Sequence, residues 1–278
     1  MPPLAKARAL WASTHPGPSL VVTAIAITLG IAAALPGWRV VVLAAAILLG
    51  QLSVGLSNDA VDAARDRAAG RSDKPLARGA ASVRSAWIAA FVALAGALAL
   101  SLVLGGWMLL AHAVAIASAW AYNLRLKSTA VSVLPFVVSF GLLPSLVTLA
   151  APDARPAAAW AGIAGAAIGV AVHLTNVLPD LDDDARTGVR GLPHRLGRRA
   201  SAVLAAVALA AGAVAVLVGP GEPGVFAWGA FAAVVLTTVI GLVLALVRPP
   251  GRVVFRLVMG AALLLCVQLA ATGQSLVG

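Results

Sequence analysis

Long apolar segments separated by short polar stretches run along almost the whole chain. Nine such segments can be counted, and each is near the roughly 20 residues that a helix needs to cross a bilayer. They cover residues 19–35, 40–57, 84–104, 107–123, 130–150, 157–178, 200–218, 225–247 and 253–276. Ala, Leu and Val dominate them, with scattered Gly, and small residues let membrane helices pack closely. The pattern predicts an all-α membrane protein with nine transmembrane helices.

The composition supports an integral membrane protein. Of the 278 residues, 61% are hydrophobic and 11% are charged, whereas soluble domains average about 25% charged residues. So few charges cannot cover a surface of this size that faces water. The one cysteine, Cys266, lies in an apolar segment and cannot form an internal disulfide. From the low content of charged residues we expect the lipid bilayer as a partner. The basic N-terminal arm is not expected to contain a removable signal peptide.

The basic residues divide unevenly between the two sides of such a protein. With nine spans, 18 of the 20 Lys and Arg residues fall on one side, and only Arg39 and Arg155 fall on the other. Cytoplasmic loops carry this excess, so the N-terminus is predicted to be cytoplasmic in a bacterial-type plasma membrane. The net charge of +10 then reflects topology, and no nucleic-acid partner is expected. Long polar connections follow segments two and six, which suggests one domain over 1–278 with approximate halves 1–128 and 129–278.

The acidic residues are concentrated in those two connections. Eight of the ten lie in two short windows. The first window contains Asp59, Asp62, Asp66 and Asp73, and the second contains Asp180, Asp182, Asp183 and Asp184. Residues three, four and seven apart share one face of a helix. Asp59, Asp62 and Asp66 are therefore predicted to line one side at the end of the second span, with Asn58 at its edge.

The second window shows a similar arrangement. Asp180 and Asp184 are four residues apart and share a face, which Asn176 extends by one turn and His173 by roughly two. Stacked carboxylates repel one another, and a bound cation removes that conflict. Mg²⁺ typically takes one or two carboxylates, waters and substrate phosphates. The two windows thus predict an Mg²⁺-dependent diphosphate site on the cytoplasmic side, where Lys74, Arg78 and Arg186 would neutralise the remaining phosphate charge.

At these residues the chain resembles the UbiA superfamily of intramembrane prenyltransferases. The motif N-D-x-x-D-x-x-x-D of that family is matched by residues 58–66, and the motif D-x-x-x-D by residues 180–184. A basic, Gly-containing stretch then leads to LPHRLG at 192–197, and Tyr122, Asn123, Leu126 and Lys127 resemble a further family pattern, Tyr-Asn-x-x-Leu-Lys. The chain departs from the family pattern at three places. It has Lys74-Pro75 where the family often has Arg-Pro, it has the additional acids Asp182 and Asp183 within the second motif, and it has His194 where a small apolar residue is expected.

The resemblance implies nine helices around a central cavity that opens to lipid and is capped by the 2–3 and 6–7 connections. It also implies a prenyl diphosphate donor, Mg²⁺ as cofactor, and a small acceptor that is lipophilic, aromatic or a quinone precursor. The residues placed around the diphosphate and metal by motif position are Asn58, Asp59, Asp62, Asp66, Asp180 and Asp184. Tyr122, Lys127 and Arg190 are further candidates for contact with the diphosphate, or for shielding of an allylic cation. His173 is a candidate for steering or deprotonating the acceptor.

Other interpretations stay open at this stage. The acidic windows could be solvated helix ends paired with Arg65, Arg67 and Arg186. The same scaffold could cyclise its donor as a membrane terpene synthase. Intramembrane acids can also mark an ion-coupled transporter, although transporter sites lie near the bilayer midplane beside broken helices. His15, next to Pro16 and Pro18, is expected in a turn, with an acceptor-pocket role as the alternative.

Overall fold

A computed structural model describes residues 3–178, 181, 188–247 and 252–277, and these residues form helices and no strand. Ten α-helices and two 3₁₀ helices follow one another along this part of the chain. The α-helices are α1 (Pro3–Ala12), α2 (Pro16–Ala32), α3 (Gly37–Ala68), α4 (Val83–Leu104), α5 (Gly106–Leu124), α6 (Leu134–Leu149), α7 (Ala159–Asn176), α8 (Leu192–Val218), α9 (Val225–Val247) and α10 (Arg252–Ala271). The 3₁₀ helices are Leu126–Ser128 and Gly273–Ser275.

Helices α2 to α10 correspond one by one to the nine predicted apolar segments, so the all-helical class is confirmed. Among the described residues, six helices (α3, α4, α5, α7, α8 and α9) are long and apolar enough to cross a membrane. The pair α1–α2, bent by 66°, would be a seventh span. Helix α6 and residues Arg256–Ala271 of α10 are apolar but shorter. Nine complete spans therefore stay a prediction.

Helix boundaries differ from the predicted ones mainly where polar residues continue a helix. Helix α3 runs on from its apolar part to Ala68, because the polar stretch after residue 57 contains no Pro or Gly. It ends just before Gly70, whose φ of 68° is left-handed. In α8 the residues from Leu192 form a short helical stretch that is broken at Gly197, where φ is 78° and ψ is 169°, so the long apolar part of α8 starts close to the predicted residue 200. The N-terminal arm, predicted only as a basic stretch, forms α1.

Glycines on α7 allow it to pack directly on the backbone of α6. A Cβ atom at Gly165 would lie 2.2 Å from the carbonyl oxygen of Phe140, and one at Gly169 would lie 2.4 Å from that of Phe136. The two glycines are four residues apart, the spacing at which small residues bring membrane helices close together. This contact positions the aromatic side chains of α6 beside α7.

We expect Gly165→Ala to lower the stability of the protein by about 1–3 kcal/mol, because two helix backbones must separate to admit the methyl group. Gly229→Ala is the matched control, since no atom lies within 4 Å of a Cβ at that position of α9. Thermal unfolding of detergent-purified protein measures both. Equal melting temperatures for the two variants would contradict the close packing of α6 and α7.

Arg39 ties three helices together at the end of the bundle opposite the aspartates. From the first turn of α3, its Nη1 donates to the carbonyl oxygens of Ala150 at 2.7 Å and Leu104 at 3.3 Å. These carbonyls are at the C-terminal ends of α6 and α4, where a cation also meets the favourable end of the helix dipole. The guanidinium carbon of Arg39 also lies over the Trp38 ring, 4.7 Å from the ring centroid. This basic residue of the sparsely charged side thus has a structural role.

Candidate active site

A cavity of about 700 Å³ lies inside the bundle and has two chemically different ends. Around the C-terminal end of α3, it is lined by carboxylates, amides and basic side chains, namely Asn58, Asp62, Arg65, Asp66, Arg71, Lys74, Lys127 and Asn176. Farther along α3 the lining becomes mainly apolar, with residues of α2, α5, α6, α7 and α10. An amphiphile with a charged head and a hydrocarbon body matches this division.

The three aspartates of α3 are all buried, but they differ in what they face. Their exposed fractions are 2% for Asp59, 8% for Asp62 and 7% for Asp66. Asp62 and Asp66 line the cavity. Asp59 is not among the lining residues, and its Oδ1 accepts from Nζ of Lys74 and contacts Nε2 of His15, both at 2.8 Å. Of the three aspartates predicted to share one face of α3, Asp62 and Asp66 therefore line the cavity, whereas Asp59 binds Lys74 and His15 from neighbouring segments of the chain.

His15 reaches Asp59 because the chain breaks sharply between α1 and α2. The histidine has a left-handed backbone, with φ 53°, and Pro16 starts α2 directly after it. The preceding residue, Thr14, packs so closely on α3 that a Cβ at Gly55 would lie 2.3 Å from its carbonyl oxygen. Gly55 is one turn before Asp59, so this contact brings His15 alongside the carboxylate. The turn expected at His15 is confirmed.

The connection between α3 and α4 is folded back onto α3 and thereby positions Lys74. Arg67 donates from Nε to the carbonyl oxygen of Ala77 at 3.1 Å and from Nη2 to that of Leu76 at 3.3 Å. The Leu76 side chain, only 1% exposed, packs with Leu56 and other small apolar residues of α3. Lys74 and Arg71 of this connection therefore line the polar end of the cavity, and the cap predicted for the connection stays a prediction.

Asp62 is bound by two cations from different directions. Arg65, one turn along α3, donates from Nη2 at 2.9 Å, and Lys127 donates from Nζ to Oδ1. Burial lowers the pKa of Lys127, and the neighbouring Asp62 charge partly opposes this shift. Asp66 lies 4.0 Å from Nε of Arg65. Two carboxylates and two cations therefore lie close together at the polar end of the cavity.

Lys127 owes its position to Asn123, one turn earlier in the chain. The Asn123 amide, buried at the end of α5, donates to the carbonyl oxygen of Val54 and to Oγ of Ser57, both at 2.9 Å. These two bonds fasten α5 to α3 just before the 3₁₀ helix that carries Lys127. The matched Tyr-Asn-x-x-Leu-Lys pattern thus contains a structural clamp as well as a cation.

The other predicted basic residues are distributed unevenly. Arg71 lines the cavity and also forms two hydrogen bonds with Asp73, at 2.9 and 2.8 Å, which hold the pKa of that exposed carboxyl at about 2. Arg78 and Arg190 are both exposed and are not among the lining residues of the cavity. The structure therefore brings Lys74 and Lys127 together with the carboxylates but leaves Arg78 and Arg190 outside.

Aromatic rings form a cluster on the wall next to the carboxylates. Tyr122 lies edge-on to Phe136 and to His173, with centroid distances of 5.1 and 5.8 Å, and Phe136 and His173 are 4.7 Å apart. All three line the cavity. Trp120, two residues before Tyr122, is not among the lining residues of the cavity. It packs on Trp87 and Phe91 of α4 and donates to Ser53, so it faces away from the cavity.

His173 is held in place by Ser132. Its Nε2 is 2.9 Å from Oγ of Ser132, which also accepts the backbone N–H of Leu192 at 2.9 Å. Among the described residues, Nδ1 has no hydrogen-bond partner. The serine also links α8 to the α6–α7 unit.

The second acidic window is mostly outside the described residues. Asp180, Asp182, Asp183, Asp184 and Arg186 are among the residues not described, so their predicted roles stay predictions. Asn176, at the end of α7, is exposed and lines the polar end of the cavity. Val189, Gly191, Pro193 and His194 line the cavity as well. The chain thus enters and leaves the second window at this same end.

The first window offers oxygen ligands of the type that Mg²⁺ prefers. Within the described part of the chain, no three His, Cys, Asp or Glu side chains converge closely enough to hold a metal by themselves. Asp62 and Asp66 both line the cavity, however, and protein sites for Mg²⁺ commonly use one or two carboxylates completed by waters and substrate phosphates. The residues present therefore fit Mg²⁺ that binds together with a diphosphate.

Two features of the site could not be predicted from the sequence alone. Asn123 was noted only as part of a family pattern, and its clamp on α3 needs two helices to be aligned. The position of His112, which lies against Gly50 and lines the cavity, likewise needs two helices to be aligned. A polar side chain inside a predicted membrane span was the available signal in both cases, because such residues usually face the interior of the protein.

Comparisons with known proteins agree with this arrangement. The family model described as the UbiA prenyltransferase family matches residues 19–264. A solved UbiA homolog from Archaeoglobus fulgidus bound to GPP and Mg²⁺ superposes with a TM-score of 0.73 at 17% identity, over 95% of this chain and 99% of that chain. The same homolog bound to DMAPP and Mg²⁺ gives 0.73 at 15% identity, over 95% and 98%.

A structure described under the biosynthesis of digeranylgeranylglyceryl phosphate synthase in membranes gives a TM-score of 0.74 at 13% identity, over 98% of this chain and 99% of that chain. At these identities the solved structures establish a common fold. No curated protein sequence matches the chain.

Proposed function

Because the chain belongs to the UbiA prenyltransferase family, we propose that it transfers an isoprenyl group from a prenyl diphosphate to a small lipophilic acceptor, with Mg²⁺ as cofactor. The observation that carries this proposal is the two-ended cavity. Its polar end combines Asp62 and Asp66 with Arg65, Lys74 and Lys127, and its remainder is mainly apolar. A diphosphate needs the first set of residues, and an isoprenoid tail needs the second.

The polar end would bind and orient the diphosphate. Asp62 and Asp66, with Asp180 and Asp184 of the second motif, would hold Mg²⁺, and Asn58 and Asn176 would add amide oxygens. Mg²⁺ bound there would neutralise the charge that develops on the departing diphosphate. Lys74 and Lys127 would contact phosphate oxygens directly, since ammonium groups form strong charge-assisted hydrogen bonds to phosphate. Asp59 would keep Lys74 and His15 in position.

The aromatic wall suits the carbon skeleton once the C1–O bond breaks. Departure of the diphosphate takes both bonding electrons and leaves an allylic cation at C1. The faces of Tyr122 and Phe136, next to the carboxylates, would stabilise that charge by cation–π attraction. The apolar lining would exclude water, which would otherwise capture the cation. The acceptor then forms the new bond to C1, and His173 is the candidate to orient it or to take its proton.

Lipophilic substrates would enter between α2 and α10. Val21 of α2 and Leu263 of α10 line the cavity, yet they are 42% and 45% exposed, so the cavity extends to the surface between these helices. Ile25, Met259 and Cys266 continue the apolar wall inward. Such an opening would let the hydrocarbon part of a substrate enter from the bilayer while its head remains at the polar end, which we place on the cytoplasmic side.

The experiment that tests this function offers the purified protein a panel of prenyl diphosphates with Mg²⁺ and a native lipid extract, and identifies the products by mass spectrometry. We expect a prenylated acceptor and free diphosphate, both abolished by EDTA and restored by Mg²⁺. Incubation with the donor alone is the control. A cyclised hydrocarbon in that control would favour a terpene synthase, and unchanged donor under all conditions would contradict the proposal.

A further inference from the structure

His15 lies where the polar and the apolar parts of the cavity lining meet. It directly precedes α2, and the lining continues along that helix through Pro18, Val22 and Ile25, which are spaced to share one helix face. In the other direction, Nε2 of His15 lies 3.5 Å from Nζ of Lys74, which we assign to the diphosphate. A ligand that contacts His15 can therefore lie beside the diphosphate while hydrocarbon covers the rest of it.

The hydrogen-bonding state of the His15 ring follows from its contact with Asp59. An ionised carboxylate can only accept hydrogen bonds, and Oδ1 of Asp59 is 2.8 Å both from Nζ of Lys74 and from Nε2 of His15. Nε2 therefore donates to Asp59, and Nδ1 of the neutral ring carries a lone pair. Within the part of the chain that the structure describes, Nδ1 has no hydrogen-bond partner. The cavity lining thus includes a hydrogen-bond acceptor that the protein itself does not use.

The backbone at His15 is held in a conformation that the turn alone would assign to glycine. Its φ of 53° and ψ of 62° are left-handed, and glycine adopts this region without the steric cost that a histidine bears. The surrounding contacts fix the turn, because Oγ of Ser19 donates to the carbonyl oxygen of Thr14 at 2.9 Å and Thr14 packs on Gly55. Residues held in such conformations are concentrated at active sites and ligand contacts. The imidazole, with 39% of its side-chain surface exposed, is what a histidine adds to this turn.

We propose that Nδ1 of His15 accepts a hydrogen bond from a hydroxyl group of the prenyl acceptor. This inference rests on the proposed function, because it specifies the acceptor class of the same cavity. An unused lone pair beside an apolar lining favours a ligand that donates a hydrogen, and an analogue without that hydrogen leaves the lone pair unpaired. The ammonium of Lys74, next to His15, disfavours a protonated amine as the donor. The acceptors selected in this way are phenols, enols or alcohols.

Two variants of His15 separate the proposed contact from the contact with Asp59. In His15→Gln, the amide nitrogen takes the place of Nε2 and can still donate to Asp59, but no polar atom remains at the position of Nδ1. In His15→Asn, the amide oxygen takes the place of Nδ1 and can accept a hydrogen bond, whereas the contact with Asp59 is lost. Asn also tolerates a left-handed backbone. Each variant therefore keeps one of the two contacts and removes the other.

The measurement is equilibrium binding of 1-naphthol and of its methyl ether to the detergent-purified full chain, saturated with Mg²⁺ and an unreactive thiolo analogue of geranyl diphosphate. The ether has the same aromatic body and no hydrogen to donate. Partition of each ligand into detergent is the same for all variants, so a change in the ratio of the two dissociation constants reports on the protein. We expect the natural protein to bind the naphthol about tenfold more tightly than the ether, as one hydrogen bond to an otherwise unpaired group requires.

His15→Gln is expected to lower this ratio to about one, whereas His15→Asn should keep most of the preference for the hydroxyl. A role of His15 in the structure alone would give the opposite order, because only His15→Gln keeps the contact with Asp59. The inference would be overturned by that opposite order, by an equal loss in both variants, or by a natural protein that binds no naphthol. Loss of the preference in His173→Leu with the natural ratio in His15→Gln would overturn it as well.

Failure of the proposed function would look different. In that case the diphosphate analogue would not bind in a Mg²⁺-dependent manner, in the natural protein or in either variant. Binding of the analogue with Mg²⁺, together with a naphthol preference that does not depend on His15, would leave the proposed function intact and contradict only the contact between His15 and the acceptor.

Discussion

Replacement of Asp62 or Asp66 by Asn is expected to reduce Mg²⁺-dependent release of diphosphate from a prenyl diphosphate at least a hundredfold. Both carboxylates line the cavity beside Lys127 and Arg65. The amide keeps the shape of the side chain but loses the charge that attracts a divalent cation. A metal contributes several kcal/mol of charge stabilisation to reactions of this type, so the loss should fall mainly on turnover. Single-turnover assays with the purified protein measure it.

The matched control for this prediction is Asp153→Asn. Asp153 is exposed and lies shortly after α6. It is near Ala150, whose carbonyl oxygen Arg39 binds, so it lies at the end of the bundle opposite the polar end of the cavity. The same chemical change there should leave diphosphate release within about twofold, as for a surface substitution. Retained turnover in Asp62→Asn and Asp66→Asn, with melting temperatures like that of the natural protein, would contradict the assignment of the metal site.

The apolar pattern was sufficient to predict the helices, because each apolar segment can satisfy its backbone in a membrane only as a helix. It was insufficient for their ends. The continuation of α3 to Ala68 depends on polar residues whose helical state is favoured by their contacts with the following connection, such as the bonds of Arg67 to Leu76 and Ala77. The formation of α1 similarly depends on packing of its end against α3 through Thr14 and Gly55.

The candidate site was predicted in its local geometry and not in its long-range contacts. The spacing of Asp59, Asp62 and Asp66 gives a common helix face, and the three are buried as that face requires. Helical spacing cannot show that Asp59 turns to His15, a residue 44 positions away, while its two neighbours line the cavity. Nor can the presence of a positive charge after the motif distinguish Lys74, which contacts Asp59, from the exposed Arg78.

The pairing of Lys127 with Asp62 is a similar case, because it joins residues that are 65 positions apart. The side chains of both residues are only 10% exposed. We expect Lys127→Met to destabilise the protein by up to about 3 kcal/mol, since a buried carboxylate loses one of its two cationic partners while Arg65 remains. The same change should lower diphosphate release at least tenfold through the loss of a phosphate contact. Thermal unfolding and the release assay measure the two effects separately.

A second variant separates the structural role of Lys127 from its proposed role in binding. In Lys127→Met combined with Asp62→Asn, no charge is left buried without its partner, so the melting temperature should recover most of the loss seen in Lys127→Met alone. Diphosphate release should not recover, because both the cation and the carboxylate are still missing. Recovery of release together with stability would mean that Lys127 serves only to neutralise Asp62. A melting temperature that stays low would mean that the two side chains do not interact as a pair.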